Sequence, residues 1–184
     1  MLKKHKAIAI PVTFVDDKPR FLTVRDRRFK DWTFVTGGCR RREIMNPLRC
    51  ALRELEEETR GVISLRSGEY ADFKFTVKDP QEANVELVYN VFVLFVPWKR
   101  VEQQAFVKKF YEEKQRMTLR KIQKQSIKRT HDENDYMSFD TLPEFNARKQ
   151  WKMIQDKVIA NPEFYSCMCM SSANRKTFNI SSGR

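Results

Sequence analysis

Apolar and polar positions divide the chain into recognisable elements. Residues 6 to 15 and 20 to 25 are two largely apolar runs separated by Asp16-Asp17-Lys18-Pro19, a cluster of turn formers, and this predicts a hairpin. After the polar connection 26 to 31, the aromatic and β-branched residues from Trp32 to Thr36 predict a short strand that ends at Gly37-Gly38. Asn46-Pro47 marks a helix start and Gly61 a helix stop. Between them Leu48, Ala51, Leu52, Leu55 and Thr59 recur at three- and four-residue steps, as the buried stripe of one helix does. FKFTV at 73 to 77 reads as a strand, Asp79-Pro80 as a turn, and the apolar run Val85 to Val96 as a central strand covered on both faces.

The pattern changes at residue 99. Residues 99 to 129 hold no Pro or Gly and many helix formers, so one or two helical pieces are expected. Their apolar stripe is patchy, consisting of Phe106, Phe110 and Met117 and then Leu119 and Ile122. Asp135 to Phe139 returns as a strand that Leu142-Pro143 ends, and 145 to 159 predicts a terminal helix with Trp151, Ile154 and Val158 on one face. The segment 161–184 is polar and expected to be weakly ordered beyond Cys169. Strands before and after a single helix predict an α+β class with a mixed sheet between helices. The organisation expected is one domain formed by 1–98 and 131–160, a basic helical insertion at 99–130, and a tail.

Composition narrows the partners. With 184 residues, 41% hydrophobic and 33% charged, the chain can bury one substantial core, and its formal charge of +12 favours polyanions such as nucleic acid or inositol polyphosphates. Most of that excess sits between residues 99 and 129, where Lys108, Lys109, Arg120, Lys121, Lys124 and Lys128 are expected to form an RNA-binding face on a helix docked by one edge. The bland alternative is a solvated surface helix. Cys39, Cys50, Cys167 and Cys169 make no C-x-x-C pair, so reduced thiols are expected. The basic, apolar N-terminus is interrupted by Pro11 and Thr13 and lacks a small-residue cleavage site, and no 18-residue apolar run occurs. An intracellular, cytoplasmic protein with no membrane insertion is the expectation.

The candidate chemistry lies in the predicted helix after Pro47. Glu54, Glu57 and Glu58 stand at i, i+3 and i+4, where their carboxylates converge over one turn and repel by roughly 0.2–0.5 kcal/mol per pair. Such a cluster suggests a hard cation with oxygen ligands, Mg2+ or Mn2+. Arg40, Arg41 and Arg42 follow the glycine turn within reach of that face, and with Gly38 they form the expected substrate-binding loop. Trp32, Phe34 and Tyr70 are alternatives as base-stacking or core aromatics.

A strand, a glycine turn, an acidic loop and a helix carrying RELEEE resemble the signature of the Nudix pyrophosphohydrolase family, G-x5-E-x7-R-E-U-x-E-E-x-G-U with U apolar. Arg53, Glu54, Leu55, Glu57 and Glu58 match its helical half, and Gly37 precedes Glu43 at the right distance. Nine residues separate Glu43 from Arg53 where seven are usual, and two separate Glu58 from Gly61 where one is usual. Both changes lie outside the turns of the three glutamates, so the resemblance implies an intact metal site in an α/β/α sandwich. It also implies Arg53 orienting Glu54 or the glycine turn, and Glu133, in the loop before the last strand, as a further ligand or general base. Together Glu54, Arg53 and Glu133 are the expected catalytic set. The basic insertion makes the chain most similar to the messenger-RNA decapping members, including those of large DNA viruses, which release methylated GDP and leave 5′-monophosphate RNA. Capped RNA or another polyanionic nucleotide is therefore the expected partner. The alternatives are hydrolysis of ADP-ribose, dinucleoside polyphosphates, oxidised nucleoside triphosphates or diphosphoinositol polyphosphates, or a non-catalytic RNA-binding protein on the same fold.

Overall fold

The computed structural model describes residues 1–180. Strands β1 (Leu2–Val15) and β2 (Lys18–Asp26) pair antiparallel around Asp16 and Asp17, which both have positive φ, 52° and 62°. A two-residue turn with both φ positive matches the twist of its strands, and Asp tolerates it better than branched residues do. β3 (Trp32–Thr33) pairs with β2, and β4 (Val35–Gly38) with β1. Helix α1 (Pro47–Glu58) follows, then β5 (Ser67–Lys78) and β6 (Val85–Phe95). Parallel pairing of β1 with β6, from Leu2 opposite Val85 to Val12 opposite Phe95, makes the sheet mixed and places both strands at its centre.

Alternation along β1 explains the layers. Ile8, Ile10 and Val12 face one core, with Val91, Val93 and the aromatic Phe21, Phe34, Phe145 and Phe164. Ala7 and Ala9 face the other core, under Leu48, Ala51, Leu52 and Leu55 of α1. Alanine there leaves room for the helix to lie close to the sheet, which fixes the height of its carboxylates above the strands. The result is an α/β/α sandwich of α+β class.

Helix α2 (Arg100–Ile122) is one uninterrupted piece. It buries Gln103, Phe110 and Met117, a single row at seven-residue steps, against the face that holds α1. The expected stripe is corrected at its far end: Leu119 is 54% and Ile122 is 73% exposed, because the helix runs past the sheet. Beyond it Arg129–Asp132 forms a 3-10 turn into β7 (Asn134–Asp140), which pairs with β2.

Three readings near the C-terminus are corrected. Leu142 and Pro143 begin a helix, α3 (Leu142–Asn146), because Thr141 and Glu144 cap one another: Thr141 Oγ1 accepts from the Glu144 amide and Glu144 Oε1 from the Thr141 amide. A continuous 145 to 159 helix does not form. The chain from Lys149 to Trp151 is instead held by backbone hydrogen bonds with Trp32, and helical structure resumes only in α4 (Lys152–Ile154) and a π turn at Gln155–Ile159. Finally, α5 (Pro162–Met168) packs Phe164 into the core and β8 (Lys176–Asn179) pairs with β5, so residues to Ile180 are ordered where weak order was expected. Residues 181–184 of the expected tail lie outside the described residues.

Candidate active site

Helix α1 presents Glu54, Glu57 and Glu58 toward the end of β4. Its start lacks the side-chain cap expected of Asn46, so Pro47, whose missing N–H needs no partner, carries the start. Glu54 and Glu58 are buried, and Glu57 is partly so. A Cβ on Gly37 would lie 2.0–2.3 Å from the Glu54 carboxyl atoms, so the glycine is what admits that carboxylate to the strand. Gly38, the residue expected to matter, has open space where a Cβ would go.

Arg53 organises one side of the cluster. Its Nε donates to Glu43 Oε2 (2.8 Å) and its Nη2 to Glu43 Oε1 (2.9 Å) and to the Gly38 carbonyl (3.0 Å). Its Nη1 donates to Glu54 Oε1 (3.0 Å) and Glu57 Oε2 (3.1 Å). Burial pushes Glu43 up, but the Arg53 fork and the Arg40 amide outweigh it and hold its carboxyl below the usual range. Glu43 is thus an anchor for Arg53, and two extra residues before the helix do not disturb that link.

The other side of the cluster has no such cation. Glu58 Oε2 accepts the Thr36 amide (3.1 Å) and faces Glu133, and neither carboxylate has an ion-pair partner among the described residues. Burial, with the charges of Glu54 and Glu133, raises Glu58 well above the carboxylate range. Burial also raises Glu54 to about 7, with Arg53 opposing and Glu57 adding to the shift. Glu133 is raised by burial of its carboxyl and by Glu57 and Asp26. Three carboxyls that resist ionisation beside one another fit a divalent cation, and all-oxygen donors suit a hard one. Among the described residues no three such side chains already close round one point, since Glu57 is turned to Arg53 and Arg40.

Beside Glu58 and Glu133 lies a cavity of about 420 Å³ lined by Lys6, Asp26, Phe29, Asp31, Thr36 and Trp151, among others. Sequence reasoning missed its aromatics. Phe29, 66% exposed, sits in a polar loop, and a large ring among charges is the signal that could have found it; Trp151, 36% exposed, has the spacing of a core residue. Among the described residues Asp31 Oδ1 is buried there without a hydrogen-bond partner, and the Lys149 ammonium lies 3.4 Å from it. None of the aromatics expected to stack a base lines this cavity. Phe34 is fully buried 4.8 Å from Phe145, Tyr70 packs on Phe92 and Phe178, and Trp32 lies under the Arg148 guanidinium, 3.7 Å from its ring centre.

The basic residues divide. Arg40 Nη2 reaches Glu57 Oε1 at 3.5 Å, Arg41 is exposed, and Arg42 borders a separate depression with Asn46, Arg49 and Arg66. Only Arg40 of the three therefore meets the carboxylate face. Arg120, Lys121, Lys124 and Lys128 cluster where α2 ends beside the Glu133 loop, and Lys121 pairs with Asp132. Lys108 and Lys109 are exposed but lie roughly 18 Å back along the helix axis at about 1.5 Å per residue.

A mixed sheet between helices, with a glutamate-rich helix over a glycine-ended strand, is the arrangement of the Nudix fold. The family model of the NUDIX domain matches residues 3–159, and the chain belongs to that family, as a Nudix pyrophosphohydrolase. Nudix hydrolases generally use divalent metals such as Mg2+ or Mn2+. No curated protein matches the chain in sequence. Among solved structures it is similar to the NUDIX domain of Shewanella oneidensis NrtR complexed with ADP ribose, at 10% identity and TM-score 0.52, covering 85% of this chain and 84% of that one. It is also similar to a NUDIX hydrolase from Listeria monocytogenes, at 12% identity and TM-score 0.51, covering 80% and 84%. At these identities the likeness concerns the fold. No helix among the described residues is long and apolar enough to cross a membrane.

Proposed function

We propose that the enzyme hydrolyses the 5′ cap of messenger RNA, releasing methylated GDP and 5′-monophosphate RNA. The observation that carries this reading is one juxtaposition: the cavity with Phe29 and Trp151 in its walls opens beside Glu58 and Glu133, and the basic end of α2 flanks the same loop. A methylated guanine is a flat cation, which aromatic faces and a carboxylate such as Asp31 attract. An RNA chain leaving the site would run over Arg120, Lys124 and Lys128.

Glu54, Glu57 and Glu58 would hold Mg2+ or Mn2+, which when bound would neutralise phosphate oxygens and lower the barrier to attack by water. Glu54 or Glu133 takes the proton from that water. Arg53 keeps Glu54 and Glu57 in register, and Arg40 meets phosphate at the open end of Glu57.

The second reading is hydrolysis of a small nucleotide such as ADP-ribose. It is favoured by the size of the cavity, which suits one nucleoside, and by the ligand of the NrtR domain. Cap-labelled RNA offered beside ADP-ribose, dinucleoside polyphosphates and diphosphoinositol polyphosphates separates the two. Methylated GDP as the leading product is expected; ADP-ribose cleaved with capped RNA untouched would overturn the decapping reading.

A further inference from the structure

The family pattern has one residue between the last glutamate of the helix and its glycine; here there are Thr59 and Arg60. Arg60 has φ 59° and turns its side chain inward, leaving it 4% exposed. Its guanidinium carbon lies 4.0 Å from the centre of the Phe110 ring. Nη1 donates to the Phe110 carbonyl (3.1 Å), Nε to the His131 carbonyl (3.0 Å) and Nη2 to the Asn134 carbonyl (2.5 Å). Among the described residues no carboxylate forms an ion pair with it, so this buried charge is satisfied by main-chain oxygens of α2 and of the segment that leads into β7. Two of those oxygens bracket Glu133.

We infer that Arg60 is a positioning residue, fixing Glu133 against the glutamates of α1; this rests on the role proposed above for Glu133. The loop is held from several sides. Arg27 binds the Asp132 and Glu133 carbonyls and Lys114 the Asp135 carbonyl, but these come from the turn after β2 and from α2. Toward α1 the loop is tied by the hydrogen bond between the Glu58 and Glu133 carboxyls, by a long bond from Asn134 Nδ2 to the Glu58 carbonyl at 3.5 Å, and, from the turn just past the helix, by Arg60. Arg60 is two residues past Glu58 in the chain, so its fork fixes the main chain on either side of Glu133 relative to the end of α1, and with it the position from which the Glu133 carboxyl meets Glu58. The same fork also ties α2 to both. A lysine carries the charge but cannot donate in three fixed directions from one plane.

The test is a cycle of Arg60→Lys, Glu133→Gln and the double variant, with the substrate cut fastest among the four above at saturating Mg2+. Arg60→Lys is expected to lower kcat by about 10- to 100-fold with KM nearly unchanged, as a small misplacement of a reacting group does. In the Glu133→Gln background the same change is expected to cost less than about twofold, because its effect passes through Glu133. An equal factor in both backgrounds, or an unchanged kcat in Arg60→Lys, overturns the positioning role. If Glu133→Gln itself leaves kcat unchanged, the proposed role of Glu133 fails first and the inference falls with it. Should Arg60→Lys not fold, Phe110→Leu removes the ring beneath the guanidinium and keeps all three acceptors. A smaller loss with the same dependence on Glu133 supports the inference, and a loss independent of Glu133 overturns it.

Discussion

Glu54→Gln tests the electrostatics of the site without any substrate. Glu54 titrates at about 7 in the folded chain because it is buried, next to Glu57 and against Gly37. In an open chain a glutamate titrates near 4.3, so the folded state binds the extra proton between these values, and stability falls as pH rises from about 4.3 to 7. At about 1.36 kcal/mol per unit the loss from this group is roughly 4 kcal/mol, and Glu58 adds to it with the same sign. Asp135 behaves oppositely. Burial pushes it up, but hydrogen bonds from Arg25 and Lys30 prevail and hold it at about 2, so its contribution is lost only in acid, below about pH 4. Glutamine keeps the shape and removes the charge, at the cost of about 1 kcal/mol for a weaker bond to Arg53. Urea unfolding in EDTA, followed by tryptophan fluorescence from pH 5 to 8, should show the native chain losing stability and the variant losing much less. At pH 8 the variant should be the more stable by about 3 kcal/mol, the difference of those two figures. Adding Mg2+ should stabilise the native chain at pH 8 and leave the variant less affected. Parallel pH slopes for the two proteins would refute the account of Glu54 as an uncompensated buried acid.

Four further outcomes are expected. Glu58→Gln should leave the metal-free fold intact or firmer while hydrolysis falls by orders of magnitude, and near-normal turnover in saturating Mg2+ and Mn2+ would remove it from the ligand set. Replacing Arg120, Lys121, Lys124 and Lys128 together by Gln should lower the salt slope of RNA binding by roughly 0.7 for each phosphate no longer neutralised, and weaken cutting of long capped RNA, while a cap dinucleotide is cut as before. Breaking the exposed Lys121–Asp132 pair should change stability by less than about 1 kcal/mol. Phe29→Ala should raise KM for a cap dinucleotide with little change in melting temperature, since the ring is exposed, and an unchanged KM would remove it from the base site.

Elements with a strong local period are legible in the sequence itself. The β1–β2 hairpin, α1, β6 and β7 each carry their own alternation or stripe, and the three glutamates of α1 announce themselves by spacing. What sequence reasoning misses depends on partners distant along the chain. β8 is four residues with Phe178 as their one apolar side chain, and its order comes from pairing with β5, helped by Lys176 on Asp72 and Arg175 on Glu69. The break before α4 arises because Trp32 takes the main-chain bonds of Lys149 and Trp151, which no helical period can reveal. In the site, Gly37 rather than Gly38 is the critical glycine, because the carboxylate that excludes a Cβ arrives from α1. Phe29 and Trp151 come from opposite ends of the chain, and only the closed sheet brings them to one cavity.

The parallel pairing of β1 with β6 also governs how the chain must be made. β1 is synthesised first, yet its partner from Val85 to Phe95 leaves the ribosome later by on the order of 4–16 s at roughly 5–20 residues per second. β7, which completes β2 and carries the end of the Glu133 loop, comes later still. Local contacts can form the β1–β2 and β5–β6 hairpins and the helices, but joining them rests on pairings of high contact order, β1 with β6 and β2 with β7, so folding should be slow. During that interval the apolar segment from Ala7 to Val12 has an unfilled edge, which makes the nascent chain a client for chaperones and its yield sensitive to the rate and temperature of synthesis.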